Sequence, residues 1–233
     1  MKPVILRDQA TTPDGRPLTL HEHDGEFIIR VAGVELMSTR QHHSEERLAE
    51  LACAHLRSGP ARSAVLIGGL GLGFTLRATL RLVPASATVV VAELVPAVIA
   101  WNRVPEYGLG GDAMADPRVE IVAADVADVM RQRPAAFDAV ILDVDNGADG
   151  LTAASNDRLY SATGLGLARS ALRPGGCLAV WSAAADDSFA DRMRRAEFTV
   201  SVERARVHAG GGGWTTLFVG RAQSGGYRRH RPL

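Results

Sequence analysis

Lysine is all but absent from this 233-residue chain: Lys2 stands alone, and arginine supplies nearly all the positive charge. We read that skew as genome composition rather than function. Basic and acidic side chains balance at 26 each, so no net charge draws the chain onto nucleic acid or anionic lipid. No run approaches the ~18 consecutive apolar residues of a membrane span. The opening MKPVILRDQATTPDG lacks the apolar stretch and cleavage pattern of a secretory leader. Two cysteines, Cys53 and Cys177, are too few for a disulfide framework, and each falls in an apolar segment, so buried thiols are expected. The expectation from these absences is a cytoplasmic protein with neither membrane nor nucleic acid as a partner.

What is present suits an ordinary globular protein, with 46% apolar and 22% charged residues. The first 43 residues read as short amphipathic strands, LTLHEH, EFIIRVAG and VELMS, separated by turn signals at Asp24-Gly25 and Gly33. They predict a small β-hairpin layer, through which a homodimer could form. From Ser44 the period changes: Leu48, Leu51, Ala52, His55 and Leu56 recur at helical spacing until Gly59-Pro60. His55 on that face reads as a packed histidine.

Strands and helices then alternate. AVLI (64–67), TVVVAE (88–93), VEIV (119–122), DAVILD (138–143) and CLAVWS (177–182) are near-continuous apolar runs, the pattern of parallel strands buried on both faces. FTVSVERARVH and WTTLFVGR flank Gly210 to Gly213 and predict an antiparallel hairpin. The fold expected is α/β: a Rossmann-like class I methyltransferase sheet over 44–221, closed by a terminal antiparallel hairpin and preceded by the β-layer of 1–43. The basic segment 222–233 reads as a disordered tail.

Chemistry is concentrated after the strands. VLIGGLGLGFT places Gly68, Gly69, Gly71 and Gly73 between the first parallel strand and a helix starting near Phe74. Glycine there permits a sharp turn and lets a nucleoside-bearing ligand lie against the backbone. Glu93 ends the second strand, where a carboxylate can accept hydrogen bonds from both ribose hydroxyls. Asp125 follows the third strand, in position for an adenine amino group. Asp143 ends the fourth, at the carboxyl edge where open α/β sheets bind ligands, and Asp145 and Asn146 follow at once. A carboxylate there can bind an amine or remove its proton, although Asp and Asn also favour plain turns. The loop to Tyr160, holding Asn146, Asp149 and Asn156, is the expected lining of a pocket for a small polar acceptor.

In order and spacing, VLIGGLGLG, VAELVP, DPRVEIVAADVADVM, FDAVILDVDNG and NDRLYSATGLGLARSALRPGGCLAVWS resemble the spermidine synthase-like branch of S-adenosylmethionine-type transferases. The resemblance spans roughly residues 17 to 220. It implies a sulfonium nucleoside such as S-adenosylmethionine as donor and no metal. Gly68, Gly69, Gly71, Gly73, Glu93, Asp125 and Asp143 would hold that donor, Asp143 and Asp145 would serve catalysis, and Asn146 and Tyr160 would touch the acceptor. Polyamine-making members carry an acid where this chain has Gly71, a second loop acid where it has Asn146, and Tyr-His-Glu where it has Ser44-Glu45-Glu46. The glutamine that precedes that element has no counterpart around Leu36. Methyl transfer is therefore the simplest expectation. Aminopropyl or other C3-unit transfer, cyclisation or cleavage of the donor, and binding without catalysis are the alternatives.

Overall fold

The long apolar runs do form the centre of a sheet. The computed structural model describes residues 3–57, 62–144, 156–208 and 211–223. Every residue of β8 (Phe137–Leu142) is buried, as are all but the first of β6 (Thr88–Glu93) and of β5 (Ala64–Gly68). These strands pair in parallel with one another, with β7 (Val119–Ala123) outside β6 and β9 (Leu172–Ser182) outside β8. Two antiparallel strands complete the sheet, β10 (Phe198–His208) and β11 (Gly211–Ala222), in the order β10-β11-β9-β8-β5-β6-β7. Because β11 inserts between β9 and β10, the terminal hairpin extends the sheet instead of leaving β9 as its edge. This is the Rossmann-like class I methyltransferase arrangement expected from the sequence.

Helices cover both faces: α1 (His43–Cys53), α2 (Phe74–Leu82), α3 (Pro96–Asn102), α4 (Val126–Gln132), α5 (Asn156–Leu159), α6 (Ala162–Ala171) and α7 (Asp187–Arg195). None of the helices among the described residues is long and apolar enough to cross a membrane. His55, just beyond α1, packs as expected: its Nε2 lies 3.1 Å from the Asp138 carbonyl oxygen, and burial lowers its pKa.

The N-terminal layer is larger than the three strands expected. It is a four-stranded antiparallel sheet of β1 (Ile5–Thr11), β2 (Pro17–His23), β3 (Glu26–Val31) and β4 (Val34–Ser38). The added strand, β1, is exposed at every position but Ala10, so its side chains carry no alternation to reveal it. Backbone pairing with β2 holds it in place. The layer shares its core with the main sheet: Leu18, Leu20, Phe27, Ile29 and Val31 belong to one buried cluster with Val65, Ile67, Val89 and Val91. The Trp101 indole N–H adds a polar tie, donating to Asp8 Oδ2 at 2.7 Å.

Cys53 and Cys177 are free, fully buried thiols, and burial pushes their pKa values to about 12 and about 11. The thiolate is the reactive form, so both should resist a disulfide reagent at pH 8 in the native protein. Both should react once the chain is unfolded in guanidinium. Prompt labelling of either thiol without denaturant would show that the α1–β9 packing opens readily.

Candidate functional site

The glycine loop does two different jobs. Gly68 and Gly73 are packing positions: an added Cβ would come within 2.9 Å of Val126 Cγ2 at the first and 3.0 Å of Gly110 Cα at the second. Gly73 is also the N-cap of α2, at φ 81°. Gly69 and Gly71, in contrast, line a cleft at the carboxyl ends of the parallel strands, together with Glu93, Asp125 and Asp143. Five residues expected at a donor site thus meet in one place.

Glu93 is 8% exposed and works on the backbone as well as facing the cleft. Its Oε2 accepts from the Leu70 N–H and its Oε1 from the Val95 N–H, both at 2.8 Å. One carboxylate therefore ties the glycine loop to the start of α3. A carboxylate offers about four acceptor positions, so these bonds leave it chemically able to accept from a ligand hydroxyl too. Asp125 is likewise double-purposed: it caps α4 by accepting from the Ala127 N–H at 2.8 Å while lining the cleft.

Asp143 is pinned at the end of β8. Its N–H donates to the Gly68 carbonyl at 3.0 Å, and its Oδ2 accepts from the Thr75 hydroxyl at 2.5 Å. It borders a second cavity as well, with Glu35, Gln41, Glu45 and Trp181 around it. Leu36, Met37, Gly71 and Asp143 belong to both cavities, which therefore adjoin. The Trp181 indole N–H donates to Ser44 Oγ at 3.1 Å, which fixes the ring at the wall.

Tyr160 sits differently from the expectation of an acceptor contact. Its ring is buried edge-on to Phe189, and its hydroxyl donates to the Val144 carbonyl at 3.1 Å. It braces the backbone beside Asp143 and borders neither cavity; its neighbour Leu159 lines the first. Asp145, Asn146 and Asp149 lie outside the described residues, as does the tail from 224 onward, and so does the side chain of Asn156; Ala222, expected in the tail, closes β11.

Sequence reasoning missed two contributors. The N-terminal layer walls the first cleft through Thr12, Leu18, Ile29, Val31 and Met37. Glu45 reads in sequence as a solvated acid in the first turn of a helix, the ordinary response to the helix dipole. In the fold its Oε2 is buried without a hydrogen-bond partner at the second cavity. Burial, and next the charge of Asp143, push its pKa well above the usual carboxylate range, with Arg77 opposing the shift. Among the described residues no three His, Cys, Asp or Glu side chains group to hold a metal ion.

No family model matches the sequence, and no curated protein does. Solved structures match the backbone. A spermidine synthase in complex with the transition-state analogue AdoDATO aligns with TM-score 0.73 at 18% identity, covering 97% of this chain and 76% of that one. The spermidine synthase from Thermotoga maritima gives TM-score 0.74 at 19% identity, over 94% of this chain and 74% of that one. A probable spermidine synthase from Corynebacterium glutamicum ATCC 13032 gives 0.68 at 18% identity, over 95% and 81%. The chain has the spermidine synthase fold. Identities this low carry the backbone and not the chemistry, which rests on this chain's own side chains. On the spermidine synthase fold, Gly71 puts no acid between the two cavities, and Glu45 brings one to the second from α1.

Proposed function

We propose that this protein is an S-adenosylmethionine-dependent transferase, most simply a methyltransferase acting on a small polar acceptor. The donor occupies the first cleft and the acceptor the second. The observation that carries this reading is the adjacency of the two cavities at Gly71 and Asp143. The neighbour of the same fold in complex with AdoDATO supports a related nucleoside ligand here.

The residues fit such a donor. Glu93 would accept from ribose hydroxyls, Asp125 would lie by the adenine amino group, and Gly69 and Gly71 admit the ligand to the backbone. When bound, the donor supplies an electrophilic carbon on a sulfonium sulfur. The chain's own work is alignment, exclusion of water and placement of negative charge. Asp143, held by the Thr75 hydroxyl and by the end of β8, would take a proton from the acceptor or balance a cation beside it. Asp145 and Asn146, next in the chain, are assigned to the acceptor side of the same reading.

Transfer of an aminopropyl or other C3 unit is the second reading, favoured by the acid that Glu45 brings to the acceptor cavity. Gly71 and Asn146 weigh against it. Product analysis separates the two. Incubation with S-adenosylmethionine and a mixture of small amines, phenols and thiols should yield S-adenosylhomocysteine. Incubation with decarboxylated S-adenosylmethionine and putrescine should yield little methylthioadenosine. Rapid methylthioadenosine formation would reverse the preference. No turnover with either donor, despite S-adenosylhomocysteine binding by calorimetry, would make the protein a binder only.

A further inference from the structure

Asn102 closes α3 and is 4% exposed, yet it borders neither cavity. Its Nδ2 donates to the Gly71 carbonyl and to the Val98 carbonyl of its own helix, both at 2.8 Å. Carbonyls only accept, so this amide orientation alone gives them a donor. Oδ1 is then buried with no hydrogen-bond partner, 3.3 Å and 3.1 Å from where a Cβ would stand on Gly73 and Gly110. A buried acceptor left unmatched is costly, so packing alone does not account for an amide here. The side chain is explained by what Nδ2 holds.

What it holds is the middle of a β-turn. The Gly73 N–H donates to the Leu70 carbonyl at 2.9 Å, closing a turn with Gly71 and Leu72 at its centre. Gly71 has φ 52°, the positive angle that the first central residue takes in the primed turns. The two primed forms differ in which way the central Gly71–Leu72 peptide faces, and the closing bond does not engage that peptide. Full inversion would need a positive φ at Leu72, which a leucine resists, but a tilt of the peptide does not. The Asn102 bond to the Gly71 carbonyl opposes such a tilt. Gly71 walls both cavities, and Met37 Sδ lies 3.0 Å from where a Gly71 Cβ would stand. A tilted peptide therefore reshapes the junction between them.

We propose that Asn102 is a positioning residue for the nucleoside: it holds the Gly71 carbonyl and so keeps the wall between the two cavities in the shape that receives the ligand. The ligand's identity as a sulfonium nucleoside rests on the reading above, whereas the hold on the loop stands on Asn102 itself.

The test is calorimetry with S-adenosylhomocysteine at pH 5.5 and pH 8 on the parent, Asn102→Ala and Asn102→Asp. Thermal denaturation and NMR hydrogen exchange of the Gly73 N–H accompany it. Asn102→Ala should bind about fivefold more weakly than the parent at both pH values, the order of one net hydrogen bond. Asn102→Asp nearly keeps the shape but, once ionised, sets oxygen against both carbonyls. Burial and those carbonyls should hold its pKa above the usual aspartate value. At pH 8 it should bind at least as weakly as Asn102→Ala. At pH 5.5 the protonated carboxyl can donate to the Gly71 carbonyl, and affinity should approach the parent's. The raised pKa also removes stability as pH climbs above the unfolded-state value, so this variant's melting deficit against the parent should widen from pH 5.5 to pH 8. A merely structural side chain would lower the melting temperature and leave the folded protein's affinity unchanged. That outcome overturns the proposal, as does an affinity deficit in Asn102→Asp no larger at pH 8 than at pH 5.5. If the alanine variant fails to fold, Asn102→Asp at the two pH values decides alone. A parent that rejects S-adenosylhomocysteine overturns the donor reading, and hydrogen exchange then judges Asn102. Faster exchange of the Gly73 N–H than in the parent at pH 8 but not at pH 5.5 upholds its hold on the loop, and equal exchange at both overturns it.

Discussion

Glu93→Ala is expected to lose about 2–4 kcal/mol of stability and most of its affinity for S-adenosylhomocysteine, because one carboxylate holds two backbone amides as well as facing the cleft. Leu70, whose N–H bonds Oε2, is buried, so alanine leaves that amide without water or a partner. The second amide, of Val95, lies immediately before Pro96 at the start of α3 and is part-buried. Glu93→Gln offers a sharper comparison. Its carbonyl can replace one acceptor oxygen, but its NH₂ group meets the other backbone N–H donor to donor. Glutamine should therefore recover only part of the stability, although it nearly matches glutamate in shape. Chemical denaturation and calorimetry read the two losses separately. Unchanged affinity in Glu93→Ala would remove the ribose assignment, and unchanged stability would mean that the loop does not depend on this tie.

The parts of this architecture that sequence makes visible are those in which side chains repeat the fold's period. β8 is buried at all six positions and β6 at five, and each reads as an unbroken apolar run. β3 alternates intermediate and buried positions, and its amphipathic pattern was equally plain. β1 was not visible, because backbone pairing and not side-chain burial makes it a strand. Arg173-Pro174-Gly175-Gly176 follows the end of α6 and reads as a turn; β9 starts at Leu172, which pairs with Phe137 before the register shifts to Cys177 opposite Ala139.

The gathering of the glycines and strand-end acids in the first cleft was legible for a related reason. Glycines after a strand and acids at strand ends are local signals, and the parallel topology gathers them at one edge. Glu45 had no such signal. Its importance comes from the packing of α1 against a cavity whose other walls lie up to 170 positions away, at Thr215. Tyr160 shows the converse: a polar tip in a polar loop suggests ligand contact, and in the fold Tyr160 is 4% exposed with its ring in the core.

Gly69→Ala should be the most damaging single-methyl change in the loop. Gly69 adopts φ 89°, and a Cβ there would lie 2.3 Å from the Asp143 carbonyl oxygen and 3.1 Å from its carbonyl carbon. Backbone on both sides is anchored: the Gly69 N–H donates to Ala92 O at 2.9 Å, and the Asp143 N–H to Gly68 O at 3.0 Å. Relief of the clash must therefore separate the ends of β5 and β8 and carry Asp143 with it. Left-handed backbone strain of about 1–2 kcal/mol and overpacking of about 1–3 kcal/mol act together. The melting temperature should fall by on the order of 10 °C for a protein of this size. Affinity for S-adenosylhomocysteine should fall as well, since Gly69 and Asp143 both wall the first cleft. Gly25→Ala is the control, at φ 81° in the β2–β3 turn with nothing within 4 Å of the added carbon. It should bear only the backbone term and bind ligand normally. If Gly69→Ala melts and binds no worse than Gly25→Ala, the contact between the glycine loop and the end of β8 yields easily, and Asp143 is not held in place by it.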